Sequence, residues 1–288
     1  METLHILVTE PWPDFGLVDS GHGRKLERYG RFRFIRPEPQ ALWAPASADW
    51  KADGEFIGGS DEDGGGRWQL GAQVPVHWGM ARGPVRFQAS NTPFRHLGFF
   101  PDMGAQWDWL ASRIRPGDKV LNMFGYTGVG SLVAAAAGAQ VTHVDASKKS
   151  VAAARENAAL SGLADAPVRW IVDDALKFLR REVRRGSKYH GLIFDPPKYG
   201  RGPDGEVWQL DRDLPELIDL ARQLLADDGR FLVLTVYAIR MSAIALGTAL
   251  GQALADRPGG VAAGDMALRE EARGLLLPTA IFARWPAG

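Results

Sequence analysis

Along the 288 residues the spacing of apolar positions changes near residue 105. Before it, short alternating runs prevail: Leu4-His5-Ile6-Leu7-Val8, Arg31-Phe32-Arg33-Phe34-Ile35, Val74-Pro75-Val76 and Val85-Arg86-Phe87. A period of two puts alternate side chains on one face, and Gly, Pro and Asp clusters separate the runs, so strands and turns are predicted here. The segment Ser60-Asp61-Glu62-Asp63-Gly64-Gly65-Gly66 has no apolar side chain to bury and is predicted as a hairpin tip or loop. Trp12, Trp43, Trp50 and Trp68 supply the aromatic volume for a small core. Residues 1–104 are expected to form a β-rich accessory region for substrate recognition.

Beyond residue 105 strand and helix patterns alternate. Val120–Phe124, Val141–Asp145, Val168–Val172, His190–Asp195 and Arg230–Tyr237 are compact apolar runs. Helical patterns lie between them, over Val129–Ala137 and Ala175–Val183 among others. Ser147 stands where an N-cap is needed, and Gly162 where a left-handed C-terminal cap belongs. The alternation predicts an α/β fold, a parallel sheet with helices on both faces, over residues 105–288.

Composition narrows the classes. An apolar fraction of 45% and a charged fraction of 24% suit a globular protein. No apolar run approaches the ~20 residues of a membrane span, and Met1–His5 has no signal-peptide pattern, so a cytoplasmic protein is expected. Cysteine is absent, which excludes thiolate metal sites and a cysteine nucleophile in this chain. His5, His77, His143 and His190 lack metal-ligand spacing, so no metal is expected. Lys plus Arg equals Asp plus Glu at 34 each, so nucleic acid would have to be held by local patches. Two are candidates: Arg24–Arg36, with six positive charges and one negative among aromatics, and Arg180–Lys188. For each, a solvated strand edge or helix end is the more ordinary reading. The composition leaves room for an oligomer.

The chemistry-bearing residues fall at the ends of successive predicted strands, where open α/β sheets bind ligands. The loop Phe124-Gly125-Tyr126-Thr127-Gly128-Val129-Gly130 lets the backbone turn sharply ahead of a helix N-terminus. Asp145, twenty positions after Gly125, can accept both hydroxyl hydrogens of a ribose. Of Asp173 and Asp174 at the third strand end, one is expected to cap the next helix, and Asp174 is the candidate for an adenine amine. The fourth end is Asp195-Pro196-Pro197-Lys198-Tyr199. Its prolines fix φ and lack N–H groups, so Asp195 and the Pro196 carbonyl become rigid acceptors suited to a nitrogen facing an electrophile. Lys198 is a candidate phosphate contact, and Tyr199 a stacking partner or a packing residue.

These runs, with Val144-Asp145-Ala146-Ser147, Glu156–Leu163 and Gly98-Phe99-Phe100-Pro101-Asp102-Met103, resemble the S-adenosylmethionine-dependent methyltransferases around the bacterial ribosomal RNA large-subunit methyltransferases I and K. The resemblance is close over about residues 91–200. It implies a Rossmann-like sheet of seven strands and S-adenosyl-L-methionine as cofactor. It further implies that Phe124, Gly125, Tyr126, Thr127 and Gly128 hold the methionine part, Asp145 and Ala146 the ribose, and Asp174 the adenine, with Phe100 and Asp195 also lining the site. Asp195, Pro196 and Lys198 would face the methyl acceptor. RNA is the implied partner, although the N-terminal region has no certain match to the relatives' RNA-binding domain. Some relatives make 5-methylcytosine through a cysteine adduct. A chain without cysteine cannot, whereas methylation at a nitrogen or oxygen needs no such adduct, and a base nitrogen is the expected acceptor.

Two other classes are weighed. A nicotinamide-dependent oxidoreductase would also use a glycine loop and Asp145, but the glycines run Gly125, Gly128, Gly130 and not in the G-x-G-x-x-G order. A non-catalytic RNA-binding module on the same fold would tolerate loss of Asp145 or Asp195, and both are present. His96, near the cofactor-lining segment, is expected to be structural and not a base.

Overall fold

A computed structural model describes residues 3–58, 66–237 and 241–286. Residues 59–65, which include most of the predicted acidic hairpin tip, lie outside the described residues. The chain divides into two compact units. One comprises Met1–Leu7, Gln106–Met266 and Ala280–Gly288; the other comprises Val8–Ala105 and Ala267–Thr279. The single boundary expected near residue 105 is therefore joined by three others. Met1–Leu7 and the return segment Ala267–Thr279 each pack with the unit farther along the chain from them, through strand pairing that no local pattern announces.

The larger unit is built on strands β9 (Lys119–Met123), β10 (Gln140–Asp145), β11 (Val168–Val172), β12 (Gly191–Phe194), β15 (Phe231–Tyr237), β16 (Ala262–Arg269) and β17 (Leu276–Trp285). With β1 (His5–Thr9) they form one sheet in the order β1-β16-β17-β15-β12-β9-β10-β11. It has eight strands and not seven, because β1 is added at one edge beside β16. The five consecutive strands from β15 to the β11 edge are parallel, and β17 returns antiparallel to β15.

Helices α1 (Gly104–Arg113), α2 (Val129–Ala136), α3 (Lys148–Leu160), α4 (Ala175–Arg184), α5 (Leu210–Leu224) and α6 (Ala243–Ala253) alternate with these strands. A hairpin of β13 (Tyr199–Arg201) and β14 (Val207–Gln209) interrupts the run after β12. The expected caps are present: the Ser147 hydroxyl accepts the Ser150 N–H, and Gly162 takes φ 69. The apolar stripes of α4 and α5 meet Leu121, Met123, Leu192, Phe194, Leu232 and Leu234 in one core.

The smaller unit contains a five-stranded sheet, β2 (Phe15–Gly21), β3 (Arg24–Tyr29), β4 (Phe32–Pro37), β5 (Gly54–Gly58) and β6 (Gly66–Leu70), and the hairpin β7 (His77–Arg82) with β8 (Val85–Ser90). Val74–Val76 is not a strand. Pro75 cannot donate to a ladder, and Val74 N–H instead closes a turn onto Gly71. Tryptophans do pack this core, with Trp68 edge-on to Phe34 and Phe56 and Trp78 stacked on Phe34.

The first basic run is spent inside this unit. Arg36 is buried against Glu27, with Nε to Oε2 at 2.6 Å and Nη2 to Oε1 at 2.8 Å, and it also donates to the Tyr29 hydroxyl. Lys25 pairs with Glu38, Arg28 with Glu271 and Arg24 with Glu55. Burial would push the Glu27 carboxyl up, but the charges of Arg36 and Lys25 outweigh it and hold the carboxyl below its usual range. Among the described residues, Arg31 and Arg33 are the two of the six cations that are exposed with no carboxylate partner for the side chain. The second run is similar: Arg180 pairs with Glu216, Arg181 with Asp173 and Arg185 with Glu182.

Candidate functional site

Strand order reverses between β9 and β12, and this is where the predicted residues gather. Met123 lies beside Phe194 in the ladder, Val144 beside Met123, and Asp145 beside Val172. Neighbouring strands stand about 4.8 Å apart. The residues that follow each tip, Asp195, Phe124, Asp145 and Asp173-Asp174, are therefore set along the carboxyl edge of the sheet. In sequence they span 72 positions.

The loop after β9 is tightly wound. Phe124 and Tyr126 hold φ of 57 and 47, and Gly128 a φ of 85. Two non-glycine residues in the left-handed region mark a backbone held by its surroundings. Those surroundings are visible. Gly125 N–H donates to the Val144 carbonyl, Gly128 N–H to Gly125, and the buried Asn157 of α3 donates from Nδ2 to the Thr127 carbonyl at 2.9 Å. His143 underlies the loop so closely that a Cβ on Gly125 would come within 2.4 Å of its ring. Its Nδ1 meets Ser131 Oγ at 2.9 Å, and burial pushes its pKa down to about 4, so the ring is neutral. Gly128 precedes α2 without a side-chain cap, which leaves the first N–H groups of that helix available to an anionic group.

Asp145 joins the loop to the next strand. Its Oδ2 accepts the Tyr126 N–H at 2.9 Å and its Oδ1 accepts the Ser147 N–H at 2.8 Å. A carboxylate has about four acceptor sites, so two directions are left for a vicinal diol. Burial raises the pKa of Asp145, partly offset by the two N–H donors. Tyr126 is pushed up to about 12 by burial and then by the charge of Asp145. Ala146, next along, is half-buried.

Asp174 is the N-cap of α4, its Oδ1 accepting the Lys177 N–H, and Asp173 is engaged by Arg181. The cap is thus Asp174 itself, with its second oxygen as the remaining acceptor. It lines a cavity of about 420 Å³ together with Trp208. Asp195 is half-buried and Pro196 buried, while Pro197, Lys198 and Tyr199 are exposed. Lys198 is fixed through its carbonyl, which accepts the Leu210 N–H at 3.0 Å. Tyr199 begins β13. Phe100 belongs to the smaller unit, where it precedes the 3-10 turn Pro101–Met103 and its ring lies 5.3 Å from that of His96. His96 is pushed down to about 4 by burial and then by Arg36 and Arg95.

Three residues of the larger unit that shape the site were not singled out for it in the sequence: Asn157, His143 and Trp208. A buried polar residue in an Ala-rich helix is a usable signal for Asn157. Trp208 had none, because it acts across the hairpin.

The residues present fit an adenosyl sulfonium. A pre-set carboxylate for the diol, a glycine-bounded loop over a helix N-terminus, and two acceptors at neighbouring tips match its ribose, carboxylate and amine. No helix among the described residues is long and apolar enough to cross a membrane.

Residues 59–243 match the family model of the S-adenosylmethionine-dependent methyltransferases. Ribosomal RNA large subunit methyltransferase I of Aeromonas hydrophila is 34% identical over 120 residues, 41% of this chain and 30% of that protein. Ribosomal RNA large subunit methyltransferase K/L of Shewanella frigidimarina is 31% identical over 150 residues, 51% of this chain and 21% of that protein. The chain thus spans less than a third of either relative. The crystal structure of the SAM-dependent methyltransferase from Agrobacterium tumefaciens superposes with a TM-score of 0.93 at 45% identity, covering 98% of this chain and 93% of that one.

Proposed function

Because this chain belongs to the S-adenosylmethionine-dependent methyltransferase family, we propose that it transfers the methyl group to a nitrogen of an RNA base, most directly in ribosomal RNA, in the cytoplasm. The observation that carries this reading is the adjacency of Met123 and Phe194 in the sheet. It sets the glycine loop beside Asp195-Pro196-Pro197 at the switch point, as transfer between a held donor and a held acceptor requires. The names of the relatives support RNA as the acceptor.

When bound, the cofactor supplies an electrophilic sulfonium methyl. Phe124–Gly128 and the N-terminus of α2 would hold its methionine part, Asp145 and Ala146 its ribose, and Asp174 its adenine. Asp195 accepts a hydrogen bond from the N–H of the acceptor and orients the nitrogen lone pair. The Pro196 carbonyl is the second acceptor, since the Pro197 carbonyl is already taken by the Trp208 indole. Lys198, exposed beside the turn, receives a backbone phosphate. Holding reactants in attack geometry can supply ~7–11 kcal/mol of the barrier, so the residues act chiefly by alignment. No cysteine adduct is needed. The smaller unit serves substrate recognition. Its exposed Arg31 and Arg33 replace the whole Arg24–Arg36 run as the cations available to RNA.

Tritiated-methyl labelling of bulk RNA from a deletion strain tests the reading. Incorporation by wild type and its loss of about 100-fold or more in Asp195→Ala, with S-adenosylhomocysteine binding retained, is the expected result. No incorporation into any RNA fraction overturns it. An Arg33→Ala variant should weaken RNA binding and lower the salt slope by about 1.

A further inference from the structure

We propose that Trp208 is a positioning residue that locks the acceptor-side turn Asp195–Lys198 onto the donor-side loop Phe124–Gly128. The inference rests on the methyl-transfer reading above and assigns a role to a residue outside every motif.

Trp208 sits in the middle of β14, opposite Gly200 of β13. Its strand neighbours are exposed, yet it is only 4% exposed itself. A tryptophan has one hydrogen-bond donor, and here it is aimed at the turn: Nε1–H donates to the Pro197 carbonyl at 2.7 Å. Pro197 has no N–H, so that carbonyl is its sole backbone handle. The same indole packs on the Phe124 ring at 5.0 Å between centroids, tilted by 59°. One side chain therefore grips both halves of the site.

The grip is placed where backbone pairing ends. Ladder contacts between β9 and β12 stop at Met123 and Phe194. Past them the chains diverge, one into the loop before α2 and the other into the hairpin. Phe124 is in the left-handed region, a conformation unfavourable for a non-glycine residue that persists only when neighbours impose it. Trp208 is such a neighbour. The Leu210 N–H to Lys198 carbonyl bond ties the far end of the turn to α5, so the indole completes a turn fixed at both ends. In-line transfer needs reacting atoms about 3–3.5 Å apart, and a 1 Å displacement can cost about 100-fold. A contact that sets the spacing of the two halves thus acts on turnover, whereas a contact that merely fills the core acts on stability.

The test removes the indole N–H and keeps the ring. Trp208→Phe is compared with wild type, and so is an enzyme carrying benzothienylalanine at position 208, which is isosteric and folds where the smaller phenyl ring fails. S-adenosylhomocysteine affinity is read by calorimetry and methyl transfer to RNA by tritium. The expected result is affinity within about twofold of wild type and turnover at least about tenfold lower. Turnover within twofold of wild type overturns the proposal, as does a parallel fall of turnover and affinity. A wild type that binds S-adenosylhomocysteine but labels no RNA overturns the RNA reading instead. The coupling is then judged on the Trp208 indole ¹⁵N–H resonance, identified by its absence in Trp208→Phe. A shift on S-adenosylhomocysteine binding supports the coupling, and an unmoved resonance refutes it.

Discussion

The carboxylate of Asp145 holds the backbone N–H of Tyr126 at 2.9 Å, so the residue proposed to receive a ribose also shapes the loop proposed to receive the methionine. With Ser147 on its other oxygen, the carboxylate is fixed before any ligand arrives. Preorganisation of this kind lowers the ordering cost of binding.

Replacing Asp145 with Asn substitutes an amide for one of those oxygens and leaves a backbone donor facing it. Hydrogen bonds to a charged group contribute about 1.5–3 kcal/mol, so S-adenosylhomocysteine affinity should fall by about 10- to 100-fold. Isothermal titration of the variant checks this. Affinity within twofold of wild type would remove Asp145 from the ribose site.

Gly125→Ala places a methyl group 2.4 Å from the ring of the fully buried His143, so one of the two must shift. Overpacking of this order costs about 1–3 kcal/mol. The variant should melt lower and bind cofactor poorly. Gly125→Ala combined with His143→Ser should recover part of both, because the smaller side chain opens the space. Differential scanning calorimetry with and without S-adenosylhomocysteine distinguishes this from a general loss of fold.

His143 also predicts a pH dependence. Its folded pKa, about 4, lies below the ordinary value of 6.5 because burial disfavours the charged ring. The unfolded chain binds the proton more readily, so the stabilisation is complete above pH 6.5 and is lost as pH falls toward 4. The full effect is on the order of 3 kcal/mol. Urea unfolding from pH 7 to pH 4 should show a shallower decline in His143→Gln than in wild type. His96, depressed in the same direction, leaves a residual slope.

Arg36 and Glu27 form a buried pair, and removing Arg36 leaves Glu27 with the more distant Lys25, 3.8 Å away, as its remaining ion-pair partner among the described residues. Arg36→Met should lower stability by about 3–5 kcal/mol, whereas Glu27→Leu with Arg36→Met should cost much less. Thermal melts of the single and double variants give the comparison. A single variant as stable as wild type would mean that Lys25 or water takes over the Glu27 carboxylate.

Much of the larger unit follows from the chain's local chemistry. The alternation of apolar strands and amphipathic helices, the Ser147 cap, the left-handed Gly162 and the four strand-end motifs each depend on residues within a few positions of one another. Strand and helix periods, and cap preferences, are properties of such short windows. Strands β2 and β3 have no such local signature, because β2 is buried on both faces and β3 is rich in charge, so neither alternates.

Tertiary structure alone decided which groups meet over long separations. Whether Arg36 is a surface cation or the partner of Glu27 depends on strand register. Likewise, β1 joins the sheet edge beside β16, and Ala267–Thr279 joins the smaller unit, only because pairing across the chain makes these the places where their backbone groups are satisfied. Trp208 reaches Pro197 and Phe124 for the same reason. A residue's type limits the contacts it can make, but its neighbours through space select among them, and those neighbours exist only once the sheet has closed its register.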